Sequence, residues 1–481
     1  MTFPTARFLI PWISLIVMIA GGNFALIAAD IQVDFAKRNG KIRPLNGVNR
    51  GPVAAGGLVE VIDAHRALGL HSVRTHDSHW PNCEVIDIHA VFPDFGADPA
   101  KPESFEFALT DEYIAGIVKA GAKVVYRLGE TIEHTKKKRF VHPPKDYEKW
   151  GEICLGIIRH YNEGWANGFH HGIEYWEIWN EPENRPAMWS GSDEDYLRLY
   201  KLTAKKIKRA FPKLKVGGPA LGASMEFTKD GQCKLYPFTT AFLQMCKRDE
   251  APLDFFSWHC YTDHPVELSQ RAKHVRALLD GFGFRSTENH LNEWNLLPDN
   301  TWDAGKTPRE KDRYFAAMSG CKGAAFIGAA FASMQDAPVD VANLFHGELG
   351  NMGLFTSNGA PFKNYFGMLA LRRLIELNER VEARGSDPAT VGLLAAMDAK
   401  QQTAMVLIAN YRNADSSFSI SLANLPTSQD WTWELLLVDD FRDLEPFGPA
   451  RPVPAGKPIS VKLPAPSVGL MVFRAKPKTN P

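Results

Sequence analysis

From Arg43 to Leu377, short runs of β-branched and aromatic residues alternate with longer stretches of helical spacing. The segments 43–49, 71–77, 123–130, 215–219, 254–261 and 290–295 read as buried strands, and so does the stretch beginning Tyr175-Trp176-Glu177-Ile178-Trp179. Segment 56–69 is helical in pattern, with Leu58, Ile62 and Leu68 on one face. A second helix opens after Pro143-Pro144 and runs through Tyr161. In a third, capped by Asp193 and stopped by Pro212, Tyr196, Leu199, Tyr200 and Ile207 recur at helical spacing. The apolar run 324–336 takes the place of an eighth strand, with Phe331, Gln335 and Asp336 near its end, and a final helix covers 365–377. Strands and helices in strict alternation predict an α/β fold, a (β/α)8 TIM barrel over 43–380. It is longer than the usual ~250 residues because its loops are extended.

The pattern changes at Arg384-Gly385-Ser386-Asp387-Pro388. Beyond it, the segments 404–410, 418–422, 431–438, 459–463 and 469–473 alternate with period two and are separated by Asn, Asp, Gly and Pro turns. Residues 381–481 therefore read as a small β-sandwich domain. Residues 31–35 alternate in the same way, a strand ahead of the barrel within 30–42.

Composition adds a compartment. Arg7 precedes an apolar run from Phe8 to Ala20, and small residues lead to Ala28-Ala29-Asp30. Residues 1–29 read as a signal peptide cut after Ala29, although Ile27 stands where a small residue is usual. The expectation is a secreted or periplasmic protein, with an uncleaved anchor as the other reading. Past this leader no stretch is long and apolar enough to span a bilayer. The 481 residues hold 55 Lys and Arg against 55 Asp and Glu, a balance that gives no reason to expect nucleic acid. The six cysteines have neither metal-ligand nor redox spacing. Cys154 and Cys260 read as buried thiols, and Cys233 with Cys246 as a pair that a loop disulfide would suit.

The chemistry lies in two motifs. Tyr175-Trp176-Glu177-Ile178-Trp179-Asn180-Glu181-Pro182 puts a carboxylate at the C-terminal lip of a strand, because Pro182 cannot continue a ladder. Beside Trp176 and Trp179, Glu181 should be poorly solvated, which raises a carboxyl pKa toward acid/base duty. His290-Leu291-Asn292-Glu293-Trp294-Asn295 ends a second strand in the same style. Glu130 falls at the lip of the third strand, followed by the cationic run Lys136-Lys137-Lys138-Arg139. That run reads as a solvated loop, or as a subsite for an anionic sugar.

WNEPE followed by LNEWN resembles the acid/base and nucleophile strands of retaining glycoside hydrolases of clan A, and most closely of glycoside hydrolase family 39, which holds β-xylosidases and α-L-iduronidases. The resemblance implies Glu181 as acid/base and Glu293 as nucleophile in a double displacement. It also implies Arg74 hydrogen-bonded to the nucleophile, His76 close after it, and Asn180 on the sugar 2-hydroxyl. His259 and Tyr261 on the sixth strand would support the nucleophile and touch the sugar. Trp294 and Glu130 complete the candidate substrate-contacting set, and an aromatic platform is expected on the eighth strand. The strand at 31–35 would join the accessory β-domain. The expected partner is an oligosaccharide or glycoside, with no cofactor and no metal.

Three rivals differ in class. A sugar-binding protein would have little reason to keep both carboxylates with their Asn and Trp neighbours. A metal site from His76, Asp77, His259 and His264 lacks an HExxH-type pair. Gly222-Ala223-Ser224-Met225-Glu226 lacks the last glycine of a serine-hydrolase elbow.

Overall fold

The computed structural model describes residues 29–52, 59–79, 84–227, 233–414, 416–426 and 429–476. The leader 1–29 therefore lies outside the described residues but for Ala29, as do Cys83 and residues 56–58 of the helix expected at 56–69.

Eight parallel strands close into a barrel. In chain order they are Gly47–Asn49, Ser72–Arg74, Lys123–Leu128, Tyr175–Ile178, Lys215–Leu221, Phe255–Thr262, Glu288–Leu296 and Val341–Leu344. They are buried on both faces, as a parallel sheet under helices must be. Inward positions near the mouth carry polar and charged side chains, while outward ones such as Trp176 pack on neighbouring aromatics, here Tyr126 at 5.0 Å between centroids.

The eighth strand is not where the sequence pattern placed it. Residues Cys321–Met334 form an α-helix, and the strand is the short Val341–Leu344 that follows. The run Cys-Lys-Gly-Ala-Ala-Phe-Ile-Gly-Ala-Ala-Phe-Ala-Ser-Met is too long and too rich in alanine for a strand. It is apolar all round because it is covered all round, by Pro265–Phe282, Lys363–Leu377 and the second sheet. Phe331 is core there, Gln335 binds the Arg43 backbone, and Asp336 pairs with Arg380. Among the described residues no single helix is long and apolar enough to cross a membrane.

A smaller correction concerns helix Asp193–Ala210. Its cap is Ser192, in a capping box with Asp195, and Asp193 is the first helical residue.

The second sheet has ten strands and curls around its own core of Ile31, Val33, Phe35, Trp431, Trp433 and Phe473. Strand Ala29–Lys41 runs inside it, antiparallel to Glu379–Arg384 and parallel to Ser417–Ala423. The sheet rests on the buried helix through glycines. A Cβ on Gly392 would lie 2.4 Å from Ala329 Cα, and one on Gly328 2.6 Å from Ala409 Cβ.

Gly392→Ala should therefore overpack this seam and cost about 1–3 kcal/mol. Gly281→Ala, where an added Cβ meets nothing within 4 Å in helix Pro265–Phe282, should instead gain up to about 1 kcal/mol. Urea unfolding midpoints of the two variants should move in opposite directions.

Candidate active site

The site is built around Arg74 at the end of the second barrel strand. Its side chain is wholly buried. Nε donates to Glu177 Oε2 at 2.6 Å, Nη1 to Glu293 Oε1 at 2.7 Å and Asn49 Oδ1 at 3.0 Å, and Nη2 to Asn180 Oδ1 at 2.6 Å. A planar guanidinium presents its donors in a fixed fork, so four barrel strands and the turn after the fourth are set by one group. Glu177 is held on its other oxygen by Asn292 Nδ2 at 2.6 Å. Burial works against the Arg74 charge, but Glu177 and Glu293 outweigh it and hold the guanidinium charged.

Glu293 and its neighbour owe their aim to a register irregularity. Against the sixth strand, the seventh shifts between Leu291 and Glu293. Such a bulge re-aims side chains. Here Asn292 reaches Glu177 while Glu293 also turns to the mouth. Tyr261 Oη donates to Glu293 Oε2 at 2.7 Å, and burial keeps that phenol far from ionising.

Glu181 comes from the turn after the fourth strand. That strand ends at Ile178, earlier than Pro182 suggested, and the chain then passes through left-handed backbone at Trp179 (φ 72°) and Glu181 (φ 43°). Non-glycine residues take that conformation only where surroundings fix it. Trp179 N is bonded to Leu128 O and Glu181 N to Ala220 O. The Glu181 carboxylate meets His259 Nδ1 at 2.8 Å through Oε1 and Asn184 Nδ2 at 3.0 Å through Oε2. His259 Nδ1 is also 3.5 Å from Glu293 Oε2, and one oxygen of each carboxylate and this nitrogen lie within 4.8 Å of one another.

Burial disfavours the charged form of all three groups, yet they end on different sides. Burial lowers His259, but Glu293 and Glu181 outweigh it and bring its pKa above the usual value. Burial raises Glu181, but the His259 hydrogen bond and charge pull it below the ordinary carboxylate value. Glu293 ends raised, because burial and the Glu181 charge outweigh His259 and Arg74. The expectation that poor solvation raises Glu181 is thus reversed by an imidazolium in hydrogen-bond contact.

His76 is buried and held neutral by burial and the arginines around it, with Nε2 3.3 Å from Asp77 Oδ1 and 3.7 Å from Glu293 Oε1. Two other candidates stand apart. Trp294 faces outward and packs on Phe326 at 6.4 Å between centroids, because the bulge spends the inward positions on Asn292 and Glu293. Glu130 binds His89 Nδ1 at 2.5 Å in a separate aromatic cavity of about 270 Å³ with Phe140, Trp150 and Trp179, where burial raises it to about 7. Nor is the four-residue metal set assembled, since His264 is exposed and pairs with Asp263. Cys154, Cys233, Cys246, Cys260 and Cys321 are all free thiols.

Several site residues escaped the sequence reading. Asn49 completes the Arg74 cradle. Phe345, just past the true eighth strand, lies under the Arg50 guanidinium at 4.6 Å and 6.2 Å from Tyr261. Trp302, 62% exposed, stands edge-on to Tyr261 at 4.9 Å. Glu183, bonded to Ala223 N and raised by burial to about 7, sits behind Glu181. The short apolar run Val341-Ala342-Asn343-Leu344-Phe345 was the available signal for Phe345, and the longer apolar helix before it masked it.

A closed parallel barrel with two facing carboxylates at its mouth defines the class, a barrel glycoside hydrolase. The sequence model of glycosyl hydrolases family 39 matches residues 58–421, and the chain belongs to that family. A β-xylosidase of Geobacillus stearothermophilus is 32% identical over 180 residues, 32% of each chain. A β-xylosidase of Caldicellulosiruptor saccharolyticus is 26% identical over 348 residues, 65% of each chain. The matched stretches thus span less than two thirds of either relative. Among solved structures, a glucosidase from Croceicoccus marinus superposes with a TM-score of 0.76 at 24% identity, covering 93% of this chain and 99% of that one. A monomeric β-xylosidase from Caulobacter crescentus superposes with a TM-score of 0.68 at 15% identity, covering 94% and 100%. Those two likenesses are of fold.

Arg74→Met should leave Glu177 buried without its counter-charge and destabilise the protein by about 3–5 kcal/mol, read from urea unfolding. A change under about 1 kcal/mol would contradict the cradle.

Proposed function

We propose that the protein is a retaining, β-xylosidase-like glycosidase that works by double displacement. The observation that carries this reading is the closeness of the Glu181 and Glu293 oxygens, which share one imidazole nitrogen and lie within 4.8 Å. Retaining enzymes hold their carboxyl groups about 5–5.5 Å apart, and inverting ones need about 6.5–9.5 Å to seat a water. Glu293 attacks the anomeric carbon as the bond to the leaving oxygen breaks, and that oxygen takes the proton held between His259 and Glu181. In the second step a water attacks the same carbon, Glu181 takes its proton, and Glu293 departs. Tyr261 and Arg74 steady the charge on Glu293 before it attacks and again as it departs. Asn180 commits its oxygen to Arg74, which leaves its amide N–H groups for the sugar 2-hydroxyl. His76 and His259 flank the same space. The scheme needs no cofactor or metal.

The sugar is proposed from the relatives, both named as β-xylosidases. Part of the basic loop is committed to contacts within the loop itself. Lys138 is spent on the carbonyls of Glu133 and Thr135, and the backbone N–H of Arg139 is bound by Glu133. We also read 1–29 as an export leader, 30–42 and 381–481 as the accessory β-domain, and 43–380 as the catalytic barrel. Export would place the enzyme in the periplasm or outside the cell, acting on oligosaccharides or glycosides.

Of an aryl β-D-xyloside and an aryl α-L-iduronide, the wild type should hydrolyse the xyloside, and NMR should show β-xylose as the first-formed anomer. Its kcat/KM should rise through a pKa above 4.5, because Glu293 must be ionised, and fall through one above 6.5, because the pair must keep its proton. α-Xylose as the first product would overturn retention. Turnover of the iduronide alone would overturn the sugar.

A further inference from the structure

We infer that Gly222 is a positioning residue for the acid/base carboxylate, and that its lack of a side chain is what lets Glu181 reach His259. The inference rests on the proposed role of Glu181. Gly222 follows the fifth barrel strand directly. A Cβ built on it would lie 2.2 Å from Glu181 Oε1, 2.7 Å from Cδ and 3.3 Å from Cγ. The carboxylate therefore passes across the bare Cα of Gly222 on its way to the imidazole.

Neither backbone strain nor packing against the rest of the barrel demands a glycine here. Its φ is not in the left-handed region, so the backbone itself admits alanine. It is also exposed, and the nearest atoms a Cβ would meet all belong to Glu181, so close packing elsewhere does not require it.

Nor can Glu181 retreat as a whole. Its N–H is bonded to Ala220 O at 3.0 Å, and Ala223 N–H to Glu183 Oε1 at 2.9 Å, so the two turns are fastened on both sides of the contact. Ala220, in left-handed backbone itself, is tied to Ser257 Oγ through its N–H. With both backbones held, an added methyl is relieved only by the side chain of Glu181, which must swing its carboxylate off His259 Nδ1. That misplaces the proton donor while Glu293, Arg74 and Tyr261 stay as they are. Gly222-Ala223-Ser224, which fails as a nucleophile elbow, has a use of this kind instead.

The test is Gly222→Ala in the wild-type and Glu181→Ala backgrounds, assayed on two aryl β-xylosides. One carries a dinitrophenolate leaving group, which departs without a proton, and the other a poor leaving group that needs one. In the wild-type background, kcat/KM for the poor leaving group should fall ~10²–10⁴-fold, the usual worth of a positioned acid. That for the activated substrate should change less than about threefold, and the melting temperature should be unchanged. In the Glu181→Ala background the same substitution should add no further loss. Equal losses on both substrates, an added loss without Glu181, or an unimpaired Gly222→Ala enzyme would each overturn the inference. A Glu181→Ala enzyme that still cleaves the poor leaving group would instead overturn the acid/base assignment itself, and the two failures are thereby told apart.

Discussion

Everything at the mouth of this barrel depends on one buried guanidinium. Arg74 holds Glu177, Glu293, Asn180 and Asn49 at once, at 2.6 to 3.0 Å. In a low-dielectric interior each of those groups alone would be costly, and together they satisfy one another. On the proposed mechanism the arrangement has a catalytic corollary. Glu293 is fixed on one oxygen by Arg74 and on the other by Tyr261, so the proposed nucleophile is oriented before substrate arrives.

His259 is the second organising group, and it acts on charge rather than position. It stands between two carboxylates that burial and mutual repulsion would otherwise drive toward their neutral forms. Its hydrogen bond and charge hold Glu181 below the ordinary carboxylate value, the two carboxylates hold His259 above its own, and Glu293 sits above its usual value. His259 Nδ1 lies 2.8 Å from Glu181 and 3.5 Å from Glu293, close enough for a proton to be shared between the imidazole and Glu181. The backbone serves the same end. Left-handed residues at Trp179, Glu181 and Ala220 turn the lips of the fourth and fifth strands toward each other, and the open Cα of Gly222 gives the carboxylate its path.

Much of this was legible in the sequence, for identifiable reasons. The β-rich runs and their spacing carried the barrel through seven strands. The Trp, Asn and Pro around Glu181 and Glu293 marked strand ends that carry carboxylates. What was not legible depended on length and on three-dimensional neighbours. The eighth strand is four residues long and lies beside a buried helix whose apolar run is stronger, so that helix took its place. With it went Phe345. Trp294 was misplaced because a bulge is invisible in the alternation it interrupts. The direction of the Glu181 pKa depends on a histidine 78 residues away in sequence and 2.8 Å away in space. No local pattern carries that contact.

The central claim is that Glu293, held by Arg74 and Tyr261, forms a covalent bond to the sugar. The direct measurement is mass spectrometry of the protein after incubation with 2,4-dinitrophenyl 2-deoxy-2-fluoro-β-xyloside, whose fluorine slows both steps while its good leaving group restores the first, so that the intermediate accumulates. The account predicts inactivation with one fluorosugar per chain, carried on the peptide that contains Glu293. Steady turnover with no adduct, or an adduct on Glu181, would contradict it.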